Sequence, residues 1–411
     1  MRLVIVNLFY PPDVPPTAHL AASLAEHRTR RGDQVTVVCG KGAYLGGSSS
    51  DAPEPTNGTG TSGTLRVARL WTPQLGKATT VRRLGDYLTF FGLATVRLLA
   101  LPRQDVIVAM TTPPLIVVAA VVHRLVRRRT RVILWCQDTY PDAAEEYGTI
   151  RRGSVVSKVL RGVNRWAFRR LDHVVGLDQA MVDRLLSQYG SDDMPSASVI
   201  PNWEPLALFP AGAQPPPWPG YDEPDLVDRF VVLYLGNLGY GHPIGTLVDA
   251  AARLDGEKVA FLFIGGGVRY PEMEAAVQQH GVGNVLLRDY VPKEETPGVL
   301  TGADCALISL DDGSLGIMSP CKLHGNLAMG VPVVYVGPEG TNVDEAIDRF
   351  HCGVSIRQGD TDGLVDAIRR LRDDPGLVHD QSRAARQAFE AAYSDERTLP
   401  QFDALLDGRA A

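Results

Sequence analysis

A chain of 411 residues exceeds what one hydrophobic core normally fills, so two domains are expected. With 45% hydrophobic and 21% charged residues, the composition excludes fibrous, low-complexity and disordered classes and reads as ordinary globular protein. The net charge of −6 conceals a division: residues 1–205 carry 25 Lys and Arg against 17 Asp and Glu, a balance of +8, and the remainder carries −14. Such asymmetry bears on association, pointing the N-terminal half at something anionic, such as a phospholipid surface or a diphosphate-linked acceptor; uneven solvated charge is the alternative. Nucleic acid is not among the expected partners.

The chain opens on an apolar strand, Met1–Asn7, that runs straight into Pro11-Pro12 without the basic region, apolar core and cleavage site of a signal peptide. A cytoplasmic protein is therefore expected. Further apolar runs follow at Gln34–Cys39, Val106–Met110, Val132–Trp135 and His173–Leu177, with helical patterns at Ala18–Arg31 and Ser154–Arg170. Strands and helices alternating in this way predict a doubly wound parallel sheet, in which ligands bind outside the carboxyl ends of the strands. From Lys41 to Thr64 the composition turns to Gly, Ser, Thr, Pro and Asn and predicts a long loop at the cleft, read either as an acceptor lid or as an insertion without a role. Val81–Leu101 predicts an amphipathic helix too short in its uncharged stretch to span a bilayer. Its wide apolar face packs in the core or, with Arg127–Arg131 nearby, lies on a membrane surface as a peripheral contact.

Around Gln214–Gly220 the chain becomes proline-rich and reads as a stiff linker. A second series then predicts strands at Phe230–Leu235, Val259–Ile264, Val285–Leu287, Cys305–Ser309 and Val331–Val336, with helices at Thr246–Leu254, Glu272–His280 and Lys322–Met329. The expected organisation is an N-terminal domain over 1–205, a linker over 206–228, a second domain over 229–385 and a helical tail over 386–411 that packs back on the first domain. The five cysteines are scattered with no C-x-x-C pair, so no metal site is expected.

Chemistry concentrates in the second half. The strand Phe230–Leu235 ends in Gly236-Asn237-Leu238-Gly239 followed by Tyr240-Gly241-His242, and the next strand ends in Gly265-Gly266-Gly267. Two successive strands closing on glycine turns predict one shared site where backbone approaches a ligand. Neither G-x-G-x-x-G nor a G-x-x-x-x-G-K-[ST] loop is present. Ser319 and Lys322 open the helix that ends at Gly330-Val331-Pro332, and a hydroxyl and a cation beside free helix N–H groups form a plausible diphosphate cradle.

Taken in order, Phe9–Pro12, Gly32–Val37, Asp105–Val108 before Pro113-Pro114, Trp135–Asp142, Val199–Trp203, Gly236–Gly239, Phe263–Gly267 and Ser319–Leu323 cover nearly the whole chain. In this series the chain resembles the retaining glycosyltransferases of GT-B fold, the group that includes glycogen synthases and mannosyltransferases, and within it the bacterial polysaccharide and O-antigen branch. The resemblance implies two Rossmann-like α/β domains facing across a cleft and hexosyl transfer from a nucleotide sugar, UDP being the commonest carrier. It implies retention of configuration and neither metal nor cofactor beyond the donor as co-substrate. The acceptor would be a lipid-linked or anionic molecule of polysaccharide or glycolipid synthesis. A tailoring glycosyltransferase of a small-molecule natural product and an inactive partner subunit are the alternatives. A phosphorylase or a non-hydrolysing epimerase could share this two-domain shape, and the phosphorylase is disfavoured because no lysine stands in the context of a pyridoxal anchor.

The resemblance also assigns residues. Donor binding falls to Gly236, Asn237, Gly239, His242, Gly265, Gly266, Arg269, Ser319, Lys322 and Leu323. Asp138 is the expected catalytic residue, orienting the acceptor hydroxyl or acting as base, with Gln137 in the place of the family's histidine. Pro12, Thr17 and Asn202 are expected on the acceptor. Two family glutamates are absent, their positions falling on Ile317 and Gly325, and the first glycine loop lacks its Arg and Lys. Lys322, with Arg269 as second, is expected to assume the charge role beside the leaving diphosphate.

Overall fold

A computed structural model of the chain describes residues 1–41, 63–73, 80–190, 195–210, 212 and 215–408. The chain divides into two compact units: Met1–Ile200 with Gly316–Met318 and the residues from Leu399 onward, and Pro201–Leu315 with Ser319–Thr398.

In the first unit the elements run β1 (Arg2–Val6), α1 (Pro16–Arg30), β2 (Gln34–Gly40), β3 (Thr64–Leu70), α2 (Thr80–Ala100), β4 (Val106–Met110), α3 (Val117–Val126), β5 (Arg131–Trp135), α4 (Asp142–Glu146), α5 (Val155–Phe168), β6 (His173–Gly176), α6 (Gln179–Tyr189) and β7 (Ser196–Val199). All seven strands are parallel, in the order β3-β2-β1-β4-β5-β6-β7. The central strands are unbroken apolar runs because helices cover both faces; every residue of Val106–Met110 is buried. Strand order reverses between β1 and β4, so right-handed crossovers set α1 on one face and α2, α3, α5 and α6 on the other, where neighbours pack in that sequence.

The end of the chain completes this unit. Phe402 packs against Trp135 with ring centroids 4.7 Å apart. The buried Arg28 guanidinium is held by Asp33 at 2.7 Å, Asp403 at 2.6 Å and Asp407 at 2.7 Å. Arg131 donates to the Leu405 and Leu406 carbonyls, both at 3.0 Å.

The second unit repeats the plan with β8 (Phe230–Asn237), α7 (Ile244–Arg253), β9 (Val259–Gly266), α8 (Tyr270–His280), β10 (Val285–Arg288), α9 (Thr296–Thr301), β11 (Cys305–Ser309), α10 (Lys322–Met329), β12 (Val333–Val336), α11 (Asn342–Phe350), β13 (Gly353–Ile356), α12 (Thr361–Asp373), α13 (Pro375–Ala388) and α14 (Asp395–Leu406), the last entering the first unit at Leu399. Its parallel order is β10-β9-β8-β11-β12-β13, with the reversal between β8 and β11. Both units are therefore Rossmann-like α/β layers. Among the described residues, no helix is long and apolar enough to cross a membrane.

Several expectations are refined. The loop expected over Lys41–Thr64 lies outside the described residues from 42 to 62, and Thr64 already starts β3, paired with β2. The proline-rich stretch is packed rather than free: the Trp218 N–H bonds the Gly298 carbonyl at 3.1 Å and the Tyr221 hydroxyl donates to Val299. These two bonds fix the segment on α9, and within it the Trp218 and Tyr221 rings meet edge to face. The helical tail begins earlier than expected, as α13, and passes through a π-turn at Phe389–Tyr393 before α14.

Candidate functional site

The donor-side residues gather at the carboxyl ends of β8, β9 and β11, beside the reversal of the second sheet. Strands β8 and β9 pair through Gly236↔Gly265 and Asn237↔Gly266, and both turns then depend on glycine. Gly265 has φ 147° and a Cβ there would overlap the Gly236 carbonyl; Gly267 has φ 136° and a Cβ would overlap that of Leu238. A side chain at either place would force the two strand ends apart, so the glycines keep the turns low enough for a ligand to lie on backbone.

Lys322, the first residue of α10, lies across this end of the sheet. Its ammonium donates to the Asn237 carbonyl at 3.1 Å and sits 4.7 Å from the centre of the Tyr234 ring. Burial lowers its pKa. A cation at a helix start opposes the macrodipole, and among the described residues no carboxylate pairs with it; one carbonyl and one ring face hold it in place. Ser319 Oγ is buried with no hydrogen-bond partner among the described residues. Leu323, which follows Lys322, is a core residue with its side chain fully buried, so only its backbone N–H is available to a ligand. Asn326 donates to the Lys322 carbonyl at 2.7 Å and Asn342 to that of Pro320 at 3.3 Å, fixing the helix start from behind.

His242 is buried edge to face with Tyr234 and has Nδ1 2.9 Å from the Ser309 carbonyl. Burial first, then the charge of Lys322, lowers its pKa to about 3, so the ring is neutral at working pH. A carbonyl only accepts, which puts the proton on Nδ1 and leaves Nε2 an acceptor. His242 therefore suits a sugar hydroxyl better than a phosphate. Arg269, expected as a second diphosphate cation, is engaged elsewhere. It forms a two-pronged pair with Glu272 at 2.8 and 2.6 Å and donates to the His242 carbonyl, stapling the first glycine loop. Gly239 has its Cβ position 3.1 Å from the Asn237 amide, within the same loop.

Three residues that sequence reasoning missed stand in this group. Tyr234 reads as a core strand position, yet its ring carries Lys322. Tyr290 is 61% exposed beside Gly266, where a Cβ would lie 3.0 Å from its ring. Asp311 follows β11, bonds the Gly241 carbonyl through its N–H at 2.9 Å and places a carboxylate in the field of Arg269.

In the first unit, Gln137 and Asp138 follow β5. Both N–H groups donate to Thr111 Oγ1, at 3.0 and 3.1 Å, and the Thr139 N–H bonds the Ile317 carbonyl at 2.8 Å. An antiparallel bridge pairs Asp138 with Met318, so the loop is anchored on both sides. Although solvent reaches part of the residue, its carboxyl lies deep in protein, and desolvation alone raises its pKa from 3.8 to about 6. Among the described residues, no cation offsets that cost. Ile317, at the position of an absent family glutamate, is fully buried.

Beyond β1, Asn7 donates through Nδ2 to the Phe9 carbonyl at 2.7 Å and the Thr17 carbonyl at 3.3 Å, joining the two sides of the Pro12 loop. Asn7 Oδ1 and Thr17 Oγ1 are buried without partners among the described residues. Pro12 and Thr17 thus share one corner of the first unit, whereas Asn202 is buried in the second. Among the described residues, no cluster of His, Cys, Asp and Glu is placed to hold a metal ion.

Comparison with known proteins agrees with this arrangement. The family described as "Glycosyl transferase 4-like domain" matches residues 17–203, and "Glycosyl transferases group 1" matches residues 229–374. WcaI of Escherichia coli, named as a glycosyl transferase of colanic acid biosynthesis, is 25% identical over 276 residues, 66% of each chain. The sucrose-phosphate synthase of Thermosynechococcus elongatus superposes with a TM-score of 0.71 at 15% identity over 99% of both chains. HepE of Anabaena in complex with UDP and glucose gives 0.69 at 14% identity, over 99% of this chain and 100% of that one. With a glycosyltransferase family matched to each unit and the doubly wound pair of sheets beneath them, the chain belongs to the glycosyltransferases of GT-B fold.

Proposed function

We propose that the protein transfers a hexosyl group from a nucleotide sugar, UDP-linked, to an acceptor hydroxyl in polysaccharide or glycolipid synthesis, with retention of configuration and without a metal ion. The observation that carries this reading is Lys322, held between the Tyr234 ring and the Asn237 carbonyl and, among the described residues, without a carboxylate partner, beside a Ser319 hydroxyl equally without a partner there and two glycine turns. A diphosphate would supply the missing counter-charge, and α10 would add backbone N–H groups. As the glycosidic bond to the donor breaks, negative charge grows on the departing phosphate, and a fixed cation stabilises that state more than the ground state. The neutral His242 accepts from a donor hydroxyl, and Asp311 is offered for the contact that the absent glutamates would make. Tyr290 provides a flat exposed ring for the base.

Asp138 is assigned to the acceptor hydroxyl, as the group that orients it or receives its proton. Pro12, Thr17 and the paired Asn7 belong to the acceptor side of the first unit; Asn202 is retained there only through the resemblance. Support for the donor comes from HepE, whose structure holds UDP and glucose, and for the pathway class from WcaI, named for colanic acid. A second reading is favoured by one observation: Ile317 is fully buried at a position where the resemblance places a donor-contacting glutamate. It makes the chain an inactive partner that binds nucleotide without turnover.

A thermal-shift screen against UDP, GDP, dTDP and their sugars tests the donor assignment, because a ligand that binds only the native state raises the melting temperature. UDP compounds should give the largest rise. No rise with any nucleotide would remove the proposal, and a rise without transfer or donor hydrolysis would favour the inactive partner.

A further inference from the structure

The first half of helix α5 is built inside out, while its second half sends Ala167 and Phe168 into the core. Its buried side carries Ser157 and Asn164, together with Arg161, whose guanidinium binds Glu145 at 2.6 Å, Asp142 at 3.2 Å and the Gln188 side chain at 2.8 Å. Its outer side carries Val155, Val156 and Val159, exposed at 78, 55 and 58%. A helix that served only to cover the sheet would turn its valines inward. The flanks are basic: Arg151 and Lys158 stand beside the valines, Arg152 is paired with Glu146 at 3.2 Å, Arg165 and Arg169 follow farther along the helix, and no Asp or Glu occurs between Gly148 and Leu171.

Helix α2 has an ordinary apolar inner side but also exposes apolar residues. Phe90, Ala94 and Leu98 are buried, while Leu84, Leu88 and Val96 face outward. Both helices lie on one face of the first sheet, and both begin at the carboxyl ends of the strands. Their first turns flank the Asp138 loop: Arg83 and Tyr87 of α2 lie in the electrostatic reach of Tyr140, and α5 grips Glu145 through Arg161 and Ser157. Arg127–Arg131 belongs to the opposite end of the sheet, where α3 ends and β5 begins, and Arg131 is engaged by the Leu405 and Leu406 carbonyls.

We propose that the outer side of α5, with the start of α2, docks the first unit on an anionic lipid bilayer and so sets Asp138 at the lipid surface. Small aliphatic side chains beside Arg151 and Lys158, with no acid on the helix itself, suit a deformable apolar layer under anionic head groups. A second copy of the chain is the poorer occupant, because a self-complementary contact would bring the like-charged helices together. The proposal takes from the function above only the location of the acceptor side, and vesicle binding is measured without turnover, so the two fail separately.

The test is flotation of the full-length protein with vesicles of phosphatidylcholine alone or mixed with phosphatidylglycerol. Binding to the mixed vesicles only is expected. A double substitution, Arg151→Gln with Lys158→Gln, should weaken it roughly 30-fold, at about one energy step of 1 kcal/mol per charge near the surface. Val155→Asp with Val159→Asp should abolish it. All four positions are exposed, so the melting temperature and its rise with UDP should stay at wild-type values; that control separates lost docking from lost folding. Absence of binding to the mixed vesicles, or binding unchanged in both variants, would overturn the proposal. A dimer in sedimentation velocity that the valine variant dissolves would also overturn it, by assigning the face to a second copy.

Discussion

Replacing Asp138 by Asn should make the protein both inactive and more stable. The carboxyl is desolvated with no compensating cation, which raises its pKa from 3.8 to about 6. At about 1.4 kcal/mol per pH unit, keeping it ionised at pH 7 costs up to about 3 kcal/mol, a ceiling because solvent reaches part of the residue. The sign follows from the raised value. The folded state holds the extra proton, so this stability is complete below pH 4 and is lost as pH rises through 6. Urea denaturation of both proteins at pH 4 and pH 7 measures it: Asp138→Asn should gain on wild type at pH 7 and lose that advantage at pH 4. If Asp138 is the base, the same variant should lose two to four orders of magnitude in kcat. Wild-type kcat/KM should fall below about pH 6 with unit slope. That limb should survive in His242→Gln, since His242 titrates near 3. Equal stability at both pH values, or full activity of Asp138→Asn, would refute the reasoning.

Further outcomes are expected. Lys322→Ala should weaken UDP binding by about one to two orders of magnitude, the scale of a charge-assisted hydrogen bond, as calorimetry can measure. Gly265→Ala should lower the melting temperature and UDP affinity together, because its φ of 147° and the overlap with Gly236 would spread both glycine turns. Arg28→Ala should destabilise by about 1–3 kcal/mol in urea denaturation, since it removes the buried guanidinium that joins Asp33, Asp403 and Asp407, which then keep only Met1, His27 and Arg31 as partners. Tyr290→Ala should weaken uridine nucleotides and spare the melting temperature of the free protein, because the ring is exposed.

Much of the fold was legible because parallel strands covered on both faces are written as unbroken apolar runs, and Val106–Met110 is one. Strand β7, Ser-Ala-Ser-Val, is a polar edge and carries no such signal. The helical tail that becomes α14 was expected despite Pro400, but its anchorage was not legible, because it depends on Arg28 meeting Asp403 across 375 residues. At the site, glycine turns and Lys322 could be read locally. The state of His242 could not, because the Ser309 carbonyl that sets its tautomer is 67 residues away. Arg269 reads as a free cation until Glu272, one helical turn on, is seen to take it. Tyr234 looks like any core aromatic; only the fold shows that a lysine from α10 rests on its face.

The central claim is that a nucleoside diphosphate binds the second unit at Lys322 without a metal ion. Calorimetric titration of UDP into the full-length protein in excess EDTA tests it most directly. The account predicts saturable binding to wild type, strongly reduced in Lys322→Ala with an unchanged melting temperature of the free protein. No binding to wild type in EDTA, or equal affinity in the variant, would contradict it.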